Sequence, residues 1–331
     1  MPARRIIGVD LGGTKLLAGA VDPSLGVHHR VRRTVTGLQQ RALLDVAVDA
    51  VTEARASAGA EVVAVGFGLP ALIDNHTGKV VVGVHTPLAD LAFADVMAER
   101  LGLPVFVDND GNNSALAEHQ AGAARGASHA IMLTLGTGIG GGLILGGKLY
   151  RGSRGGAGEI GHMEIEIDGE HDVDNCPGRG CAELFASGRA LGREATRLAA
   201  QRPDSALARA ISEGRTLAGP LVTELAHDGD GAAIEAIRLI GSRLGIVITN
   251  LVNIFNPEVV VLGGGVIAAG ELLLAPARAV VRERVFPFLA ASVRIVPARF
   301  GVEAGMVGAA ALAYDGLAAL EGGPGDGSAG E

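Results

Sequence analysis

The chain uses one arrangement twice: two short apolar segments joined by a turn made of glycines. In the first copy residues 5–10 and 15–21 are separated by Leu-Gly-Gly-Thr. In the second copy residues 130–135 and 143–145 are separated by the glycine-rich run 136–142. Runs of this kind, interrupted by glycine, are typical of two strands joined by a turn. We therefore expect a fold that contains two related hairpins.

Helical and strand patterns alternate along the rest of the chain. Leucine, valine and alanine recur at helical spacing over 38–58, and the apolar run 62–68 predicts a buried strand. The remaining predicted strands lie at 105–107, 258–262 and 293–296, and the remaining helices at 91–101, 110–124, several within 183–255, and 302–317. Alternation of this kind is typical of the α/β class.

Length and composition indicate a folded protein with two domains. The chain has 331 residues, 48% of them hydrophobic and 19% charged, which excludes general disorder. A net charge of −8 argues against nucleic acid as the main partner, and two cysteines are too few for a disulfide framework. No apolar run is long enough for a membrane span and no signal peptide is evident. We expect a cytoplasmic protein without membrane or nucleic-acid partners.

Three glycine motifs resemble known nucleotide signatures but lack their context. Residues 142–148 match G-x-x-x-x-G-K, yet Leu149 stands where Ser or Thr should bind Mg²⁺, and no helix is expected after it. The G-x-G-x-x-G at 136–141 continues as a strand, so it lacks the helix N-terminus that binds a pyrophosphate. The G-x-G-x-x-A at 263–268 opens a helix, but no acid for a ribose ends the next strand. A nicotinamide enzyme is therefore disfavoured.

The two hairpin turns are better interpreted as phosphate sites. Their exposed backbone N–H groups and the hydroxyls of Thr14 and Thr137 could hold one triphosphate from two sides. Asp10 could hold Mg²⁺ through water, and Lys15 could supply a counter-charge. The alternative is that Asp-x-Gly-Gly-Thr is only a tight hairpin.

A set of motifs in this order resembles the ROK family (repressors, open reading frames and sugar kinases), and within it the bacterial glucokinases. The motifs are Asp-Leu-Gly-Gly-Thr-Lys at 10–15, Asn-Asp at 109–110, Gly-Gly-Ala-Gly-Glu-Ile-Gly-His at 155–162, Cys-Pro-Gly-Arg-Gly-Cys-Ala-Glu at 176–183 and Val-Val-Leu-Gly-Gly-Gly at 260–265. The resemblance covers nearly the whole chain.

The resemblance implies an α/β protein with the actin-like ATPase (ribonuclease H-like) fold, whose two lobes flank a central cleft. It places a small lobe at 1–110, a large lobe at 111–301 and a final helix, 302–318, that packs back on the small lobe. Residues 319–331 are rich in glycine and acid, and we expect a disordered tail there. The helix-rich segment 182–253 would form a homodimer or homotetramer surface.

The resemblance also assigns the general base of a sugar kinase to Asp110 and a sugar-binding amide to Asn109. Asp110 precedes a predicted helix, whose N-terminus would keep its carboxylate ionised, although a plain N-cap is the alternative. The implied sugar-binding residues are Gly68, Asn109, Asp110, Glu159, His162 and Glu183. The implied ATP-binding residues are Asp10, Gly12, Gly13, Thr14, Lys15, Thr134, Gly136, Thr137, Gly138, Gly263, Gly264 and Gly265.

A structural zinc site is implied at His162, Cys176 and Cys181. The family usually supplies three cysteines and one histidine, and here the position of the first cysteine falls among His171, Asp172 and Asp174. Histidine and aspartate are legitimate zinc ligands. The alternatives are a loop without zinc or a redox-sensitive pair of cysteines.

The expected activity is Mg-ATP-dependent phosphorylation of a hexose at the 6-hydroxyl, most simply of glucose to glucose 6-phosphate in glycolysis. Residues 84–91 lack the tryptophan of a common glucokinase segment, so N-acetylmannosamine, N-acetylglucosamine, fructose or mannose are alternative substrates. Polyphosphate is an alternative donor. A non-catalytic sugar sensor is the alternative of another class. ROK repressors carry a helix-turn-helix before the first hairpin, and with nine residues before Asp10 we expect none.

Overall fold

The computed structural model describes residues 4–83, 86–171 and 176–321. The chain divides into two compact units. Unit 1 comprises Met1–Ala121, Arg151–Gly156 and Glu303–Glu331, and unit 2 comprises Gly122–Tyr150 and Ala157–Val302. The chain therefore passes between the units four times. The predicted lobes end at 110 and 301, whereas the first part of unit 1 ends at Ala121 and the last part of unit 2 at Val302.

Unit 1 is built on a mainly parallel sheet with an antiparallel edge. In chain order its strands and helices are β1 (Arg4–Leu11), β2 (Lys15–Val21), β3 (Val27–Thr34), α1 (Gln40–Ala56), β4 (Glu61–Leu69), β5 (Ala71–Asp74), β6 (Lys79–Gly83), β7 (Ala89–Leu91), α2 (Phe93–Leu101), β8 (Val105–Asn109) and α3 (Asp110–Ala121). The main sheet has the order β3-β2-β1-β4-β8, and β5, β6 and β7 form a small antiparallel sheet.

The register of the main sheet places three strand ends side by side. Strands β1 and β4 are parallel, with Asp10 opposite Gly68. Strands β4 and β8 are also parallel, with Leu69 opposite Asn109. Because the carboxyl ends of parallel strands meet at one edge, Asp10, Gly68 and Asn109 lie along the same edge of this sheet.

Unit 2 contains a second five-stranded sheet and most of the helices. Its elements are β9 (Ala130–Leu135), β10 (Ile139–Leu145), β11 (Lys148–Tyr150), α4 (Ala182–Ala186), α5 (Gly188–Gln201), α6 (Ala206–Ser212), α7 (Gly219–His227), α8 (Gly231–Phe255), β12 (Val259–Gly263), α9 (Glu271–Arg284), α10 (Pro287–Ser292) and β13 (Arg294–Pro297). In the part of the chain that the structure describes, no helix, including the 25-residue α8, combines the length and apolar character that crossing a bilayer requires.

The two main sheets share one topology. The order β11-β10-β9-β12-β13 repeats β3-β2-β1-β4-β8: an antiparallel three-stranded meander followed by two parallel strands. The two hairpins expected from the sequence are therefore the corresponding parts of two similar sheets. The third strand of each meander was not expected. The sequence of β3, Val-His-His-Arg-Val-Arg-Arg-Thr, is mostly charged or polar, and β11 has only three residues.

The chain returns to unit 1 through α11 (Ala304–Glu321), which packs on α3, β1 and β4. A Cβ on Gly8 would lie 2.0 Å from the carbonyl oxygen of Met306, and a Cβ on Gly66 1.8 Å from that of Ala309. A Cβ on Gly308 would lie 1.6 Å from a carbonyl oxygen of α3. Any side chain at these positions would clash, so Gly8 and Gly66 let the helix backbone lie directly on the sheet, and Gly308 lets it lie directly on α3.

The C-terminus differs slightly from expectation. Helix α11 continues to Glu321, so the first three residues of the predicted tail, 319–321, are helical. Alanine and leucine are strong helix formers and extend the last turns. Residues 322–331 lie outside the described residues.

Gly66→Ala should destabilise the protein by about 3 kcal/mol or more, because the new methyl group meets a backbone oxygen that cannot rotate away. Urea unfolding followed by circular dichroism measures the change. Gly231→Ala is the control, since a Cβ there has no neighbour within 4 Å, and its stability should change by less than about 0.5 kcal/mol. Equal stability of the two variants would show that α11 does not contact the sheet this closely.

Candidate active site

The first glycine turn closes the β1–β2 hairpin beside Asp10. The Gly12 amide donates to the Lys15 carbonyl oxygen at 2.8 Å. A Cβ on Gly305 would lie 2.7 Å from the carboxylate carbon of Asp10, so this carboxylate lies against the first turn of α11. Burial raises the pKa of Asp10 to about 6, against the opposing charge of Lys15. Among the described residues no hydrogen-bond donor contacts it, which fits a carboxylate that binds hydrated Mg²⁺.

The β8–α3 corner holds the predicted base. Asn109 caps the helix, because its Oδ1 accepts the amides of Gly111 at 2.8 Å and Asn112 at 3.2 Å. Asp110 is the first residue of α3, and its Oδ1 accepts the Gly111 amide at 2.9 Å. Gly68 adjoins the corner, since a Cβ there would lie 3.6 Å from the Asp110 Cα. Asn109, rather than Asp110, thus accepts most of the helix-capping bonds.

Two further polar residues at this corner were not found from the sequence. Asp108 is buried at the end of β8, and Arg151 donates to its Oδ2 at 2.7 Å. The two residues are 43 positions apart, so no local pattern signals their contact.

In unit 2, Glu159 precedes one short 3-10 turn, Ile160–His162, and His162 ends it. The Nε2 of His162 lies 3.8 Å from a carboxylate oxygen of Glu159. Burial raises the pKa of Glu159; His162 lowers it and the charge of Glu183 raises it further. The structure therefore brings the three predicted sugar ligands of this unit close enough to interact.

Both carboxylate oxygens of Glu183 already contact groups of unit 2. One accepts the backbone amide of Ile139 at 2.6 Å, and the other accepts the guanidinium of Arg189 at 2.6 Å. A Cβ on Gly138 would lie 2.0 Å from the carboxylate, so Glu183 lies directly against the second glycine turn. From the sequence, Glu183 was predicted to bind the sugar, but its contact with the glycine turn was not predicted.

The second glycine turn is held by the start of α5. The Gly136 amide donates to the Gly138 carbonyl at 3.0 Å within the turn. The Gly188 amide donates to the Gly136 carbonyl at 2.9 Å, and the Arg189 amide to the Thr137 carbonyl at 3.3 Å. The turn is therefore fixed from one side by backbone contacts. As predicted, the G-x-G-x-x-G at 136–141 continues as a strand, and no helix follows the false P-loop match at 142–148.

The third glycine cluster adjoins this turn. Gly263 is paired with Thr134 in the parallel β12–β9 ladder. Gly264 has φ +83°, and a Cβ there would lie 2.5 Å from the Leu135 carbonyl oxygen. Gly265 begins a 3-10 segment, Gly265–Ala269. The predicted nucleotide residues of unit 2 are thus neighbours.

The predicted zinc ligands also meet in unit 2. Ligand atoms of His162, Cys176 and Cys181 all lie within 4.8 Å of one another, and the two sulfurs are 3.6 Å apart. Two Zn–S bonds in tetrahedral geometry place sulfurs about 3.8 Å apart. The buried Nδ1 of His162 has no hydrogen-bond partner among the described residues, and the Gly178 amide points at the Cys176 sulfur at 3.4 Å. These residues fit a zinc ion.

Of the three candidates for a fourth zinc ligand, the structure describes His171. Nδ1 of His171 lies 3.3 Å from the Gly178 carbonyl oxygen, and this histidine is not one of the three clustered residues. Asp172 and Asp174 lie outside the described residues.

The predicted site residues thus form two groups. Unit 1 holds Asp10, Gly12, Gly13, Thr14, Lys15, Gly68, Asn109 and Asp110, and unit 2 holds Thr134, Gly136, Thr137, Gly138, Glu159, His162, Glu183, Gly263, Gly264, Gly265 and the cysteines.

Comparison with known proteins identifies the family. The model of the ROK family matches residues 6–315. The chain belongs to the ROK family. A glucokinase of Streptomyces coelicolor is 35% identical over 315 residues, covering 93% of this chain and 97% of that protein. A xylose repressor of Bacillus spizizenii is 29% identical over 93% of this chain and 77% of its own length.

A solved structure supports the fold. The ROK family glucokinase from Streptomyces griseus, in complex with glucose and AMPPNP, superposes with a TM-score of 0.86. It is 35% identical, and the match covers 94% of this chain and 99% of that one. The prediction of an α/β, actin-like ATPase fold is thereby confirmed, and the two sheets of equal topology are its repeated parts.

The purified protein should contain about one zinc per chain, and Cys181→Ser should lose it, because the thiolate is replaced by a poor ligand. Metal analysis after gel filtration measures the content, and a thiolate-to-cobalt absorption band in Co²⁺-exchanged protein reports the sulfurs directly. Ser212→Ala, a change at an exposed helix end, is the control. Full zinc content in Cys181→Ser would show that the cluster is not the metal site.

Asp10→Asn should stabilise the ligand-free protein at pH 8 by up to about 3 kcal/mol. The folded-state pKa of about 6 lies above the ordinary 3.8, so ionising Asp10 costs folding free energy above pH 6 and nothing below about pH 4. The gain should therefore shrink as the pH falls from 7 to 4. Chemical unfolding across this range measures it, with the exposed Asp95→Asn as control. A gain that does not depend on pH would contradict burial of the charge.

Proposed function

We propose that this chain is an ATP-dependent, Mg²⁺-requiring sugar kinase that phosphorylates glucose at the 6-hydroxyl, with Asp110 as general base. The observation that carries the proposal is the corner at Asp110. This carboxylate begins a helix capped by its neighbour Asn109, and it adjoins Gly68 on the strand beside Asp10. The 35% identity to glucokinases over more than nine-tenths of the chain supports the reaction.

Asp110 suits proton transfer from a sugar hydroxyl. Transfer of a phosphoryl group needs a positioned carboxylate to accept the proton of the attacking hydroxyl, while most of the remaining catalysis is positioning and charge neutralisation. The first turn of α3 provides the positive end of the helix dipole, and the Gly111 amide donates to Asp110. The Gly111 contact holds the carboxylate at the start of the helix, where it would accept the proton.

The side chains that the family resemblance assigns to the sugar have suitable chemistry. Asn109, Glu159 and His162 provide an amide, a carboxylate and an imidazole, which can bind hydroxyls as donors and acceptors. Bonds from hydroxyls to a carboxylate are charge-assisted and directional. Glu183, whose oxygens already contact Ile139 and Arg189, would accept a hydroxyl through a remaining lone pair and hold the turn at the same time.

The glycine turns would bind the phosphates of ATP. Backbone amides at Gly12, Gly13 and 136–138 carry no side chain that blocks a phosphate, and Thr14 and Thr137 add hydroxyls. Asp10 would hold Mg²⁺ through water. When bound, the metal neutralises charge on the transferring phosphoryl group. Zinc at the His162 cluster would fix the orientation of this imidazole.

A sugar-responsive regulator without catalysis is the second candidate, since a xylose repressor matches 93% of the chain. The two candidates make different demands on Asp110. A sensor needs to bind a sugar but does not need a proton acceptor. Turnover measurements on variants of this residue therefore separate them.

Asp110→Asn should reduce sugar phosphorylation by about 10³-fold or more while glucose affinity changes by less than about tenfold, because the amide keeps the shape but accepts no proton. Coupled detection of ADP measures turnover, and calorimetry measures glucose binding. The substrates to compare are glucose, mannose, fructose, N-acetylglucosamine and N-acetylmannosamine, with ATP or polyphosphate as donor. The control is Asp49→Asn, an exposed position on α1.

The outcomes distinguish the hypotheses. Strong turnover of glucose that Asp110→Asn abolishes supports the kinase and its base. A variant that retains most activity removes Asp110 as the base. Glucose binding by a wild-type protein that turns over no sugar supports the regulator.

A further inference from the structure

Residues 151–155, which we call the crossing segment, connect unit 2 to unit 1 and back. They follow β11 of unit 2, belong to unit 1, and lead within seven residues to Glu159 and His162 of unit 2. A connection without regular secondary structure has no ladder of its own to fix it, so its position depends on contacts with other elements.

Every residue of the crossing segment contacts another part of unit 1. The contacts are Arg151 to Asp108, the Asn75 amide to the Gly152 carbonyl at 3.4 Å, the His76 Nε2 to the Ser153 carbonyl at 2.7 Å, Arg154 to Asp74, and Gly155 at φ +87° against the Ile73 carbonyl. Four of the five contacts are with the β5–β6 hairpin. Arg151 alone reaches the end of β8, immediately before the proposed base.

Asp108 links the two sides of that corner. Its Oδ1 accepts the backbone amide of Asn109 at 2.7 Å and the side-chain amide of Asn112 at 2.9 Å. These donors lie one residue before and two residues after Asp110. Its Oδ2 accepts Nε of Arg151 at 2.7 Å, and the Asp108 side chain is only 8% exposed. One buried carboxylate thus holds the Asp108–Asn109 peptide before Asp110 and the Asn112 side chain in the helical turn after it.

Arg151 stabilises the buried charge of Asp108. A buried carboxylate that loses its cation is strongly destabilised and is relieved by protonation or by admitting water. Either change would weaken the bonds from Asp108 to Asn109 and Asn112. Burial raises the pKa of Asp315 on α11, and the charge of Arg151 opposes that rise, so removal of Arg151 would leave two carboxylates without this charge.

We propose that Arg151 is a positioning residue for phosphoryl transfer: by holding Asp108, it fixes the corner that carries Asp110. This role rests on the proposed function, in which Asp110 is the base. Catalysis is sensitive to such positioning, because misplacement of a reacting group by about 1 Å costs on the order of 10²-fold in rate. Arg151 itself need not touch the sugar.

Arg154 is a matched control within the same segment. It also pairs with an aspartate of unit 1, Asp74, whose other bonds are to the backbone amides of His76 and Thr77 at 3.0 and 3.2 Å. That aspartate fixes the β5–β6 turn and not the corner at Asp110. Removing Arg154 therefore tests loss of an arginine–aspartate pair in the crossing segment without disturbing the base.

The experiment compares Arg151→Ala and Arg154→Ala in the full-length protein with glucose and ATP. Arg151→Ala should lower kcat by about 30- to 100-fold with KM for ATP within about threefold, whereas Arg154→Ala should keep kcat within about threefold. Guanidinium ion added to Arg151→Ala should restore part of kcat by occupying the space beside Asp108, and equal concentrations of sodium chloride should not. Arg151→Lys keeps the charge but loses the Nε donor, so its kcat should lie between that of Arg151→Ala and that of the wild-type protein.

A double-mutant cycle with Asp108→Asn separates positioning from general stability. If Arg151 acts through Asp108, Asp108→Asn combined with Arg151→Ala should lose little more kcat than either single change. Equal kcat for Arg151→Ala and Arg154→Ala, or additive losses in the cycle, would overturn the role. If Arg151→Ala does not fold, Arg151→Lys against Arg154→Lys supplies the same comparison. A wild-type protein without turnover of any sugar would overturn the proposed function itself.

Discussion

Direct packing of the α11 backbone on the sheet of unit 1 is the contact on which the site of that unit depends. Glycines at 8 and 66 in the strands remove the side chains that normally keep helix and sheet apart, and Gly308 does the same between α11 and α3. A fourth glycine, Gly305, lets the first turn of the helix reach the carboxylate of Asp10. The same close approach therefore fixes the fold and raises the pKa of a proposed ligand-binding carboxylate.

The sequence predicted the buried elements well and the edge elements poorly. Strand β4 and helix α1 were expected because their apolar residues follow the period of the structure and face a core. Strand β3 was missed because it lies at the edge of its sheet, where charged residues are exposed and protect against pairing with other chains. The small β5–β6–β7 sheet was missed because its strands are short, and β6 and β7 are largely exposed.

The candidate site shows the same division between local and distant information. Motifs such as Asn109-Asp110 could be found because each combines a local turn or helix start with a chemically suitable side chain. The partners Arg151 of Asp108 and Arg189 of Glu183 could not, because an arginine in a loop or on a helix reads as an ordinary surface charge. Only the folded chain shows that these guanidinium groups end at buried carboxylates.

These pairs divide the carboxylates of the protein by their surroundings. Asp108 and Glu183 are buried and paired with arginine, and their oxygens also accept backbone amides, so their charge is used to fix a corner and a turn. Asp10 and Glu159 have no arginine partner among the described residues, and burial raises the pKa of both. A carboxylate with a raised pKa and no arginine partner gains most from a bound cation or hydroxyl, because the ligand then stabilises its negative charge. In the proposed function, Asp10 and Glu159 are therefore the carboxylates that would gain most from their ligands, while the contacts of Asp108 and Glu183 fix the β8–α3 corner and the second glycine turn.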